Sequence, residues 1–73
     1  MIENPAVAKY VNELLLDING RLNESIGKVE QSCSAEEFTL YRRRVAKIID
    51  AIFEVVLEPI YLKHPALKPP GLE

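Results

Sequence analysis

The stretch Cys33-Ser34-Ala35-Glu36-Glu37-Phe38, CSAEEF, stands near the middle of a 73-residue chain and reads as a helix entrance. Ser34 and Glu37 have the S-x-x-E spacing of a capping box, in which each side chain accepts a hydrogen bond from the other residue's backbone N–H. Cys33 and Phe38 hold the flanking staple positions, which set the angle at which the chain enters. Glu36 and Glu37 add negative charge at the positive end of the helix dipole. The spacing predicts a helix starting at Ala35. With only a few residues for the link, it pairs with the preceding segment as an antiparallel hairpin.

The preceding segment has its own start signal, Asn4-Pro5: asparagine accepts from a free N–H, and proline at the first helical position loses no needed donor. From there Val7, Val11, Leu14, Leu15, Ile18, Leu22, Ile26, Val29 and Cys33 recur every three or four residues, forming one apolar stripe. Asp17 with Arg21 and Glu24 with Lys28 are acid-before-base pairs on the polar face. Asn19-Gly20 is the competing signal, since that dipeptide often ends a helix, and breaking there would give a three-helix chain. The stripe keeps its phase across it, which a turn would not do. The reading is one helix over about 5–32.

The second segment is apolar over more than half its circumference. Phe38, Val45, Ile49, Ile52, Phe53, Val56 and Ile60 form one stripe, and Tyr41, Ile48, Val55 and Leu62 a second at seven-residue spacing. Pro59 lacks an N–H and crowds the carbonyl of Val55, so a helix over about 35–62 should kink or end near it. The following LKHPALKPPG reads as a proline-rich extended tail over 63–73. The closing Leu72-Glu73 resembles a cloning remnant.

These stripes lead to a fold class. The chain is all-α, with a single helical-hairpin domain over 1–62. One hairpin arm covers only one of the two stripes, so a second hairpin is expected to cover Tyr41, Ile48, Val55 and Leu62, giving a homodimeric four-helix bundle. The outline is similar to that of ROP-type dimeric hairpins, a likeness of architecture. A turn near 32–34 pairs residues whose numbers sum to about 67, setting Val45 opposite Leu22, Ile49 opposite Ile18, Val56 opposite Val11 and Ile60 opposite Val7. Arg42 lands opposite Ser25, a polar layer in which Arg42 reaches out to pair with Glu24.

A composition 48% hydrophobic and 27% charged is that of a folded chain, yet below about 70–80 residues a core rarely suffices without a disulfide, a metal or a partner. Cys33 is the only cysteine, which excludes an internal disulfide and fits a cytoplasmic setting. Neither a secretory leader nor a membrane span is indicated. A net charge of −2 offers no general attraction to nucleic acid or anionic lipid.

Candidate chemistry is sparse. Arg42, Arg43 and Arg44, with Lys47, form the one basic cluster, but helical geometry spreads the arginines around the helix, and only Arg43 and Lys47 share a face. Acidic neighbours and the lack of interleaved aromatics make a nucleic-acid-binding regulator using Arg43, Arg44 and Lys47 the weaker reading, beside a solvated face or a protein-docking patch. Cys33 and His64 fall at opposite ends of a hairpin, so they do not form a nucleophile–base pair. No Glu-x-x-His pair offers metal ligands, and no cofactor motif is present. Tyr10, Tyr41 and Tyr61 are expected at bundle edges with wet hydroxyls. Glycines 20 and 27 lie opposite the first stripe with Leu16. The sequence thus points to a non-enzymatic helical module that binds protein, with its role unspecified.

Overall fold

The computed structural model describes residues 1–69. It is an all-helical hairpin. Helix α1 runs Pro5–Ser32, α2 runs Ala35–Ala51, and the chain continues without a break through a π-helical segment, Ile52–Leu57, into α3, Glu58–Lys63; a 3-10 turn, Pro65–Leu67, follows. The proline tail is therefore not extended from its start: Leu67 folds back to pack on the core. Residues 70–73, among them the Leu72-Glu73 pair read above as resembling a cloning remnant, lie outside the described residues.

The two start signals act as their chemistry requires. Asn4 accepts from the N–H groups of Ala6 and Val7 at 2.9 and 3.2 Å. The Glu37 N–H donates to Ser34 Oγ at 3.1 Å while the Ser34 N–H donates to Glu37 Oε1 at 3.2 Å, a complete capping box. Cys33 and Ser34 alone separate the two arms. Asn19-Gly20 lies inside α1, which stays continuous, its inward face carried on beyond the pair by the half-buried Leu22, Ile26 and Val29.

The region around Pro59 is where the structure departs most from a simple α-helix. The Glu58 N–H reaches back five residues to the Phe53 carbonyl. The wider π turn accommodates the missing Pro59 donor and makes room for its ring. It also inserts one residue, which turns everything downstream by about 100° relative to an uninterrupted helix. Leu57, Ile60 and Tyr61 consequently point at α1 and are buried. Without the insertion, Leu57 and Tyr61 would lie on the outside.

The core gathers at the open end of the hairpin, around Ala8, Leu57, Ile60 and Tyr61, with Ile2, Val11, Leu15, Leu16, Phe53 and Leu67 packed against it. The loop half contributes only Val45 to the fully buried set. In α1 the buried face is rotated from the predicted stripe: Ala8 and Asn12 are buried, whereas Val7 and Leu14 are exposed. Ala8 has the smallest side chain available here, and it lets the bulky Leu57 and Ile60 approach the α1 backbone. Ile60 therefore does not face Val7, and Leu16, expected on the back, packs on the core.

The N-terminal stretch of chain is fastened to the end of α3. Lys63 Nζ donates to Glu3 Oε1 at 3.2 Å, and His64 Nε2 lies 2.8 Å from the Ile2 carbonyl. A carbonyl only accepts, so Nε2 carries the proton. Ile2 has φ 56°, a left-handed conformation costly for a β-branched residue, and its side chain nonetheless packs on the core. These ties, with Ser25–Tyr41 near the loop, keep the predicted antiparallel register to within one residue.

Candidate functional site

The second apolar stripe was the main candidate, and the π segment divides it. Ile48 is 52% exposed and Val55 63%; both leave the helix beside the side that carries Tyr41. Leu62 is 81% exposed but lies beyond the inserted residue, so it is carried to a different side of the hairpin. Tyr41 is half-buried, its hydroxyl 2.7 Å from Ser25 Oγ, which in turn donates to the Leu22 carbonyl at 2.6 Å.

Ser25 thus marks a polar layer near the loop, but its partner is Tyr41. Arg42 is exposed, with its guanidinium 5.5 Å from the Phe38 ring centroid, and makes no ion pair with Glu24. A tyrosine at the helix flank reaches the facing serine without desolvating a charge, so it displaces the arginine from that position. Arg43, Arg44 and Lys47 are all exposed. Arg43 lines a shallow hollow of about 390 Å³ with Ala35, Glu36, Thr39 and Leu40. Glu36 beside it makes the hollow electrically mixed.

Sequence reasoning did not find the buried pair Asn12 and Tyr61. The Tyr61 hydroxyl donates to Asn12 Oδ1 at 2.5 Å, with Asn12 only 6% exposed. Tyr61 is therefore not a wet edge tyrosine, and burial raises its hydroxyl pKa above the ordinary 10.0. A signal existed: Leu57, Tyr61 and His64 repeat at helical spacing one residue out of phase with Val45, Ile49 and Ile52, and Pro59 marks where a phase change could occur.

An open hollow of about 620 Å³ lies on the side to which Leu62 turns, lined by Phe53, Glu58, Tyr61, Leu62, Pro65 and Lys68. Its walls are largely aromatic and aliphatic, with one acid and one lysine at the rim. Cys33, exposed at the turn, and His64, at the open end, sit at opposite ends of a molecule 45 Å long. Among the described residues no three His, Cys, Asp or Glu side chains converge on a metal-sized site, and no helix is long and apolar enough to cross a membrane.

Several large apolar side chains remain in the open among the charged ones. Val7, Tyr10 and Leu14 on α1, Leu40 and Ile48 on α2, and Val55 and Leu62 beyond it all present large side chains to the surface. That display is the most distinctive surface feature of the hairpin. No family model matches the chain, and neither a curated protein nor a solved structure is significantly similar to it.

Proposed function

We propose that the chain is a non-enzymatic helical module that pairs with a second copy of itself and acts in the cytoplasm by binding another protein. The observation that supports this is the imbalance between a small core and the large apolar side chains left exposed around and beyond it. A chain of this length gains stability by burying such surface on a partner chain. Molar mass by light scattering at micromolar concentration tests the pairing: a dimer is expected, and a monomer at every concentration would refute it. Capture of a partner by the wild-type chain but not by a surface-apolar variant would support the docking role.

Nucleic-acid binding through Arg42, Arg43, Arg44 and Lys47 is the second reading, favoured by the absence of any ion pair on these four among the described residues. It requires an electrophoretic shift at low salt that weakens steeply as salt is added. The carboxylates of Glu36, Glu37 and Asp50 on the same helix work against it.

A further inference from the structure

We propose that one specific broad side of the hairpin, carrying Val7, Tyr10, Leu14, Ile48 and Val55, is the self-association face, and that the second copy packs on it antiparallel, loop end against open end. This rests on the dimeric reading above and names the surface and orientation that reading leaves open.

These five residues share a side. Successive residues turn by about 100°, so once Ala8, Asn12 and Leu15 face the second arm, Val7 and Leu14 leave α1 on one flank with Tyr10 at that flank's outer edge, and Leu16 leaves on the other. In α2, Val45 and Ile52 face inward, and Ile48 leaves on the flank that meets Val7, Tyr10 and Leu14. The half-buried Ser25–Tyr41 bond lies along this side. Tyr61, Glu58 and Leu62 lie on the opposite one, where they line the open hollow.

The area of that side is comparable with what a stable interface needs. A broad side of the molecule measures 45 by 20 Å, roughly 900 Å² in projection, against the about 800 Å² per partner that a stable interface needs. An antiparallel copy centred near Leu14 covers most of it and leaves the loop ends overhanging.

Charge sets the orientation, because an interface of identical surfaces must be complementary to itself about a two-fold axis. In the hairpin register Ile48 lies across from Asn19, and Val55 across from Asn12. The five apolar side chains therefore centre near Leu14. Exposed charges flank that centre at similar distances: Arg44 toward the loop, at the level of Asn23, and Glu3 at the open end. Arg44 has no carboxylate partner within its chain among the described residues. Glu3 gives one oxygen to Lys63 and has an 87% exposed side chain. A two-fold axis through the Leu14 level brings Arg44 of each copy to the Glu3–Lys63 pair of the other, where it meets the Glu3 oxygen that Lys63 leaves free. The parallel alternative would instead bring Arg44 to the level of Arg21, whose charge Asp17 already engages at 3.1 Å, and of Lys28, with no carboxylate among the described residues on that flank for Arg44 to meet.

Sedimentation equilibrium and circular dichroism on full-length variants test this. Val55→Glu and Leu14→Glu should be monomeric while helical, and Leu62→Glu should stay dimeric. Arg44→Glu should raise the dimer Kd about 3- to 30-fold, two exposed ion pairs being lost, and adding Glu3→Arg should restore it. As a check independent of destabilising variants, Leu14→Cys in a Cys33→Ala background should oxidise to a disulfide-linked dimer, and Leu62→Cys should not. Dissociation by Leu62→Glu with no effect of Val55→Glu would overturn the face while leaving the dimer intact. A double charge swap weaker than Arg44→Glu alone would overturn the antiparallel orientation. A monomeric wild type would overturn this proposal together with the dimeric reading.

Discussion

Tyr61 and Asn12 show how much one hydrogen bond can matter in a core this small. Both are buried, and no buried side-chain polar atom among the described residues lacks a partner. Tyr61→Phe leaves the Asn12 carbonyl oxygen without its donor, and about 1–3 kcal/mol of stability should be lost in urea unfolding. The pair also carries a pH signature. The Tyr61 hydroxyl titrates above its ordinary value when folded because burial disfavours its ionised form. The unfolded chain therefore releases this proton first, so stability is full below about pH 10 and falls as the pH rises above it. In Tyr61→Phe that alkaline loss should shrink. At the turn, Ser34→Ala removes the acceptor for the Glu37 N–H and should cost about 1 kcal/mol.

At the scale of the element, the π segment is the decisive feature. Its inserted residue is what lets Leu57, Ile60 and Tyr61 continue the inward face begun by Val45 and Ile52. Deleting Glu54 together with Pro59→Ala should convert the segment to α-helix while keeping that face in phase, so thermal unfolding should stay cooperative. Deleting Lys47, in regular α2, should rotate the whole distal face outward and abolish cooperative unfolding. Equal damage from both deletions would mean that the insertion does not set the phase. The capping box, the continuity of α1 and a disturbance at Pro59 were all legible in the sequence. The direction of that disturbance was not. Proline forbids one hydrogen bond, but whether the helix ends, kinks or widens depends on which outcome buries more apolar surface against α1. A methyl group added at Gly20 or Gly27 would meet no neighbouring heavy atom within 4 Å. Each Gly→Ala change should therefore stabilise α1 by about 0.8–1 kcal/mol, read as a higher Tm.

Across the whole molecule, stability is uneven. Leu57 is fully buried in the open-end cluster, and Leu57→Ala should cost about 2–5 kcal/mol in chemical denaturation. Hydrogen exchange should be slowest for amides of α1 near Ala8–Leu16 and of the arm packed on them, and fastest near the Cys33-Ser34 turn. The reverse order would place the stabilising core elsewhere.

By itself the sequence determined where the helices start, that the two arms form a hairpin, and that the apolar surface exceeds what one arm can cover. Caps and periodicity are local, acting over about four to seven residues, and leave a direct record in residue order. Only the tertiary structure decided that Ala8 and Asn12 face inward while Val7 and Leu14 do not, and that Leu62 parts from Val55. Those outcomes depend on how two wide apolar faces rotate against each other. That rotation is set by side-chain size at the contact and by one inserted residue, and no short-range pattern encodes either.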